Sequence, residues 1–165
     1  MNYKPIIIVA GEPNSIFLEI FFKSIQKNLY KSPLIIIVCK KLLIKQMEHL
    51  GFNFEINQIN PDNVNFKKLN NKKINIININ YNFKNSFEII SKRSNSYIIE
   101  SFKVALEILK KNRLSKFING PISKKHFLEG KSLGITEYLA KKSKKENEVA
   151  MLIFNKKLSV SPVTT

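Results

Sequence analysis

The feature that most constrains this chain is a pair of short, unbroken apolar runs set one helix apart, Ile6-Ile7-Ile8-Val9 and Leu34 to Cys39. β-Branched side chains are stiff at χ1 and favour extended backbone, and a run apolar at every position suits a strand covered on both faces. The first strand is predicted over Tyr3 to Ala10 and ends at Gly11-Glu12-Pro13. Asn14 or Ser15 can cap the helix that follows, where Ile16, Ile20, Phe21 and Ile25 recur at helical spacing as far as about Leu29. Pro33 introduces the second run. Strand, turn, amphipathic helix and strand make a βαβ unit, which commits the chain to a parallel sheet with covered faces.

The rest of the chain continues the alternation. A helix is predicted from Lys41 to Leu50, closed by Gly51, with a short strand over Phe52 to Ile59 and a turn at Asn60-Pro61-Asp62-Asn63. Between Asn65 and Asn85, Ile and Phe alternate with Asn and Lys, most clearly in Ile74 to Ile79, which predicts an edge strand or hairpin with one wet face. Ser94 to Lys111 is a helix with Ile98, Phe102, Ala105, Leu106 and Leu109 on one stripe and Ser96 as its cap. Leu114 to Asn119 supplies a further strand, and Ala150 to Phe154 and Leu158 to Val160 read as two strands around an Asn155-Lys156-Lys157 turn. The expected class is α/β with a largely parallel sheet, with no repeat or flexible linker and no internal domain boundary.

Composition excludes more than it assigns. With 165 residues and 44% hydrophobic content the chain can bury a core. No run reaches the roughly 20 apolar residues of a membrane span, and the N-terminus has no secretory cleavage pattern, so a soluble, cytoplasmic protein is expected. A lone cysteine, Cys39, reads as a buried strand-end thiol. The net charge of +16 comes from lysines spread along the whole chain amid an excess of Asn and Ile, a compositional bias rather than a nucleic-acid patch. Phosphorylated small molecules fit such a surface, and no nucleic-acid or membrane partner is expected.

Candidate chemistry concentrates between Phe117 and Ala140. Asn119-Gly120-Pro121 puts a sharp turn at a strand's carboxyl end, the usual ligand side of an open α/β sheet. Lys124 and Lys125 follow, and Gly134-Ile135-Thr136-Glu137 opens a helix whose amino end suits a phosphate. The plainer readings are that Thr136 caps the helix, that both lysines are simply exposed, and that His126 is a partly buried structural residue. His49 ends a helix and can interact with its last carbonyls. Two histidines without a paired carboxylate motif make no metal site, and no G-x-G-x-x-G, Walker A or G-x-S-x-G pattern is present.

Taken in order, these segments resemble the 4-hydroxythreonine-4-phosphate dehydrogenase family of vitamin B6 biosynthesis, and the chain is similar to its N-terminal portion. Gly11-Glu12-Pro13 with Ile16 and Glu19 looks like the family's opening motif, and Tyr97 to Glu100 with Ala105-Leu106 like the helix before its substrate loop. Asn119 to Lys124, Gly134 to Ala140, and Met151-Leu152 through Val163-Thr164-Thr165 match three further segments. The resemblance implies an isocitrate/isopropylmalate dehydrogenase-like layered fold, a homodimer, NAD or NADP, and a divalent metal (Zn, Mg or Co). It implies oxidation of a phosphorylated substrate's secondary alcohol followed by decarboxylation, with Thr136 and Lys124 as substrate-binding residues. Ile135 aligns with a family histidine that contacts substrate, and isoleucine can neither donate a hydrogen bond nor take a proton. Asn14, Ser15, Phe17 and Leu18 replace small residues of the opening motif. The resemblance places the metal histidines and most of the cofactor site beyond Thr165, so the 165 residues alone are expected to be a fragment without turnover. The rival reading is a non-catalytic binding protein of the same fold, which the reading frame beyond Thr165 would distinguish.

Overall fold

Both apolar runs are strands: β1 spans Ile6–Val9 and β2 spans Leu34–Val38, paired in parallel with Ile7 opposite Ile35 and Val9 opposite Ile37. The computed structural model describes residues 3–27, 29–69, 71–129 and 134–162, which fall into two units dividing between Phe127 and Leu128. In the first unit, helix α1 (Phe17–Gln26) joins β1 to β2, and α2 (Lys40–His49) leads to β3 (Ile56–Gln58). Strand β4 (Ile74–Asn78), helix α3 (Asn95–Lys111) and β5 (Phe117–Asn119) complete it. All neighbouring strands are parallel, in the order β3-β4-β2-β1-β5, as the βαβ pattern requires.

The pleat sends alternate residues to opposite faces. Ile8, Ile36 and Ile76 share one face with Leu18 and Phe22 of α1 and Leu43 and Met47 of α2, all buried. Phe22 is the aromatic centre, with ring centroids 5.4 Å from Phe52 and 6.1 Å from Phe54. Helix α3 packs on β1 and β2 and buries Ile98, Phe102, Ala105 and Ile108. Each of the larger side chains, Ile98, Phe102 and Ile108 among them, stabilises the fold by roughly 1.5–3 kcal/mol relative to exposure.

Three expectations are corrected. The α1 stripe facing the core is Leu18, Phe21 and Phe22, whereas Ile16 and Ile20 are 66% and 50% exposed. The sequence carries two apolar stripes on this helix, and the one bearing Phe22 wins because it meets Phe52 and Phe54. Strand β4 is neither an edge nor half of a hairpin; it lies between β3 and β2 with Ile74, Ile76 and Ile77 buried. Its Asn75, read as wet, is buried because Asn57 Nδ2 donates to its Oδ1 at 2.9 Å and its own Nδ2 donates to the Leu34 carbonyl at 3.0 Å. Finally, Ser94 rather than Ser96 precedes α3, and Ile108 lies deeper than Leu106 or Leu109.

Gly51 does close α2, with φ +72°, and the Phe52 N–H donates to the Met47 carbonyl while Gly51 N–H donates to that of Glu48. That is the paired bonding of a Schellman cap. Cys39 is buried at the start of α2, and His49 ends that helix with its ring edge-on to Phe87 at 5.4 Å.

The second unit contains α4 (Ile135–Ser143) and a hairpin of β6 (Ile153–Phe154) and β7 (Ser159–Val160), antiparallel with Ile153 opposite Val160. Its turn is tied by Asn155 N–H donating to the Leu158 carbonyl and Asn155 Oδ1 accepting from Lys157 N–H, both at 3.0 Å. Among the described residues, no helix is long and apolar enough to cross a membrane.

Candidate functional site

From β1 the connections run one way to β2 and from β4 the other way to β5, so β1 and β5 meet where the strand order reverses. Ligands of open α/β sheets bind outside the strands' carboxyl ends at such a point. Here the two loops touch. Glu12 N–H donates to the Pro121 carbonyl at 2.8 Å and Gly120 N–H to that of Val9 at 2.7 Å. Gly11 has φ +77°, and a Cβ there would stand 2.9 Å from the Gly120 carbonyl carbon and closer still to the Pro121 oxygen. A Cβ on Gly120 would be 2.7 Å from the Ala10 carbonyl carbon. Both glycines are required by backbone meeting backbone.

Glu12 is the node behind this junction. It is 3% exposed, its Oε2 accepts from Ser94 Oγ at 2.6 Å, and its Oε1 accepts from Asn14 N–H at 3.3 Å. The Ser94 hydroxyl, which by position could cap α3, is thereby committed to Glu12. Asn14 extends the network: its Nδ2 lies 3.5 Å from the Tyr81 hydroxyl, and its Oδ1 accepts from Glu88 N–H at 3.0 Å. Glu88 is held as a carboxylate, its pKa lowered first by N–H donation from Lys84 and Asn85 and further by Arg93, 3.4 Å away.

Above this network opens a cleft of about 350 Å³ lined by Asn80, Tyr81, Asn82, Arg93, Ser96 and Tyr97. It brings the carboxyl side of β4 against the amino end of the 17-residue α3, whose first turn holds no acidic residue. Arg93 and the Ser96 hydroxyl therefore stand where the helix dipole favours an anion. Burial pushes the Tyr81 phenol above its ordinary range, the Glu12 and Glu88 charges add to this, and the Asn14 bond opposes it. Tyr81 thus remains a neutral donor at physiological pH. Tyr97, buried beneath with its ring 5.3 Å from that of Tyr81, is raised further by desolvation, and its hydroxyl accepts from Cys39 N–H.

Lys124 follows in the same unit. Ser123 Oγ accepts from His126 N–H at 3.2 Å and the Ser123 carbonyl from Phe127 N–H at 2.8 Å, starting a wide π turn, Lys124–Leu128. Lys124 and Lys125 are exposed on it and His126 is half-buried. Asn95 Nδ2 donates to the His126 carbonyl at 2.8 Å, linking the start of this turn to the first residue of α3.

Ile135 and Thr136 belong to the second unit, as the first two residues of α4, both half-buried. Gly134 is the residue before the helix, so Thr136 is not its cap. Glu137 holds its Oε2 2.9 Å from where a Gly134 Cβ would lie, so the chain's own carboxylate attends the amino end of α4. What this turn offers a ligand is chiefly the Thr136 hydroxyl. Among the described residues no group of three His, Cys, Asp or Glu is placed to hold a metal ion. The Thr164-Thr165 pair lies outside the described residues.

Sequence reasoning singled out Lys124, Ile135 and Thr136 but missed Glu12 as a buried node, Ser94 as its partner, and Tyr81 and Arg93 in the cleft. Arg93 had a visible signal, being one of only 2 arginines in a lysine-rich chain. Glu12 and Ser94 had none, since 82 positions separate them.

Residues 30–165 match the family model described as pyridoxal phosphate biosynthetic protein PdxA. Among solved structures, the fold is similar to a 4-hydroxythreonine-4-phosphate dehydrogenase from Burkholderia phymatum, with TM-score 0.80 and 21% identity over 98% of this chain. It is also similar to the enzyme of that description from Klebsiella pneumoniae, with TM-score 0.75 and 20% identity over 96% of the chain. At these identities the likeness is one of fold, and it carries the dehydrogenase-like layered architecture expected above. The chain spans 50% of the length of each of those structures. No curated protein matches the sequence.

Proposed function

Because the chain belongs to the pyridoxal phosphate biosynthetic protein PdxA family, we propose that it forms part of a 4-hydroxythreonine-4-phosphate dehydrogenase and contributes to binding the phosphorylated substrate. The observation that carries this reading is the interlocked Gly11 and Gly120 loops at the sheet's carboxyl end, with a polar cleft that holds Arg93 beside them. In this reading Lys124 supplies a positive charge to the substrate and Thr136 a hydroxyl. Arg93 and Ser96 receive an anionic group at the amino end of α3, and Tyr81 donates its phenolic proton in a hydrogen bond.

The reading further proposes a cytoplasmic homodimer using NAD or NADP, which when bound accepts hydride from the substrate's secondary alcohol. The sequence has no glycine-rich dinucleotide turn, and the described residues offer no set of three metal ligands.

Calorimetric titration with 4-phosphohydroxythreonine tests the assignment. Losing a hydrogen bond to a charged group costs about 1.5–3 kcal/mol, so Lys124→Ala and Thr136→Val should each weaken binding at least tenfold. Unchanged affinity in both would overturn it. The 165-residue chain mixed with this substrate, NAD and Mg2+ or Zn2+ should form no NADH, and turnover would place a complete catalytic site within it.

A second reading, binding without catalysis, is favoured by Ile135 alone. A histidine there restores a donor, so Ile135→His should tighten substrate binding about tenfold if this turn faces the substrate. No change would remove Ile135 from the site.

A further inference from the structure

At the amino ends of β1 and β2, the side of the sheet away from that cleft, lies an open cavity of about 400 Å³, within the size range of small-molecule sites. All five strands start at this end, so the segments leading into β1, β2, β4 and β5 gather here. They bring Lys4 from before β1, Lys31 from before β2 and Lys67 from the turn Phe66–Lys68 before β4 to line one opening. Pro5, Pro33, Phe66 and Leu114 form walls between them. The backbone behind is fixed: Ile6 N–H donates to the Pro33 carbonyl at 2.9 Å. After α3, Arg113 takes φ +51°, its N–H donates to the Lys110 carbonyl at 3.3 Å, and Leu114 N–H donates to that of Leu109 at 2.9 Å. That is a Schellman turn, and it sets Leu114 on the wall.

No acidic side chain is among the cavity's described lining residues. Lys31 and Lys67 are exposed, and among the described residues neither has a carboxylate within ion-pair distance. Lys4 meets a neutral group, its Nζ 3.5 Å from the Arg113 carbonyl, a contact that holds the lysine without taking its charge. Helices α1 and α3 end on this side, and a helix carboxyl end carries about half a negative charge whose effect fades within the last turn. Three whole cationic charges outweigh two such partial ones, and the last turn of α3 already has Lys110 and Lys111 of its own. Like charges around one opening repel each other, and an anion with more than one charge relieves that repulsion at several lysines together.

We propose that this cavity is a second ligand site, separate from the carboxyl-end cleft, which takes a small diphosphate or bisphosphate between Lys4, Lys31 and Lys67. Lysine meets phosphate as a point charge on a flexible stem, so three lysines from three segments can follow an anion with many oxygens without the fixed fork that arginine presents. The site does not depend on the dehydrogenase reading, since none of its residues belongs to that cleft.

The probe is inorganic pyrophosphate, titrated into the intact chain at low, fixed ionic strength and followed by backbone amide NMR. The signals of Leu69, Asn112 and Leu114 should shift along one saturable curve, while those of Tyr81 and Ser96 stay in place. Lys31→Glu with Lys67→Glu, both at exposed positions, should weaken binding at least tenfold while the protein still melts cooperatively. Lys141→Glu with Lys156→Glu makes the same change of net charge at exposed positions of the second unit and should weaken binding less than twofold. Equal losses in the two pairs would show that pyrophosphate answers only the net charge, and would overturn the site. So would saturable shifts confined to Tyr81 and Ser96, or no shift at Leu69, Asn112 and Leu114 at saturating pyrophosphate. Orthophosphate and succinate, titrated at the same ionic strength, should each bind at least fivefold more weakly than pyrophosphate, and a match by either would overturn the stated ligand class.

Discussion

At the carboxyl end of β1, residues 11–14 are held by the Pro121 carbonyl, by Ser94 through Glu12, and by Tyr81 and Glu88 through Asn14. In the hairpin of the second unit, β6 and β7 are joined by four residues, Asn155 to Leu158, and Ile153, Phe154, Leu158 and Val160 are all between 47% and 73% exposed. Both regions are short strands followed by a tight turn. One is determined by partners distant in sequence and the other by bonds within about ten residues, such as Ser161 Oγ donating to the Met151 carbonyl. A two-stranded hairpin is marginal in water by itself, whereas five parallel strands covered by helices are not. Substitutions should therefore cost much in the first region and little in the second.

The largest effect should come from Gly11→Ala. The new methyl group meets the backbone of Gly120 and Pro121, which cannot swing aside as a flexible side chain would, at a φ of +77° that disfavours any L-residue. A loss of about 3–5 kcal/mol is expected in urea unfolding. A loss below about 1 kcal/mol would mean that the two loops are not in contact in solution.

Glu12→Ala comes next. It removes a buried charge-assisted acceptor and strands the Ser94 hydroxyl and Asn14 N–H, at a cost of about 2–3 kcal/mol. Glu12→Gln keeps an acceptor for Ser94 and should lose only about half as much. If the two variants are equal, the charge itself rather than the bond geometry is what the junction uses.

The same contrast explains what could be read in the sequence. β1, β2 and Gly51 were legible because their signals are local: continuous β-branched runs and a glycine after a helix. Helix α3 was legible through Ile98, Phe102 and Ala105, which keep helical period whatever surrounds them. The interior place of β4 was not, because Asn75 imitates a solvent-facing residue and its burial depends on Asn57 and on Leu34, which lies 41 positions away. The side of α1 that faces the core was likewise undecidable until Phe52 and Phe54 were set beside Phe22. For the candidate site, glycine-proline turns announced which end of the sheet was built for close approach. The Glu12–Ser94 pair, and the neutrality of Tyr81 that Glu12 and Glu88 reinforce, exist only once the chain has folded.

The smallest expected effect falls in the hairpin. Phe154 is 73% exposed, so truncating it removes little area that folding had taken from water. A buried phenylalanine such as Phe22 costs about 3–5 kcal/mol when cut to alanine. Phe154→Ser should instead change the unfolding free energy by no more than about 0.5 kcal/mol, the usual range for exposed sites. The comparison is sharpened by running that variant at several protein concentrations. A loss above about 1 kcal/mol that grows with concentration would show that the exposed apolar strands are covered by a second copy, since association stabilises by mass action. The same loss at every concentration would show that the hairpin is buried within the monomer in solution, and either result would undo the division between a determined sheet end and an exposed hairpin.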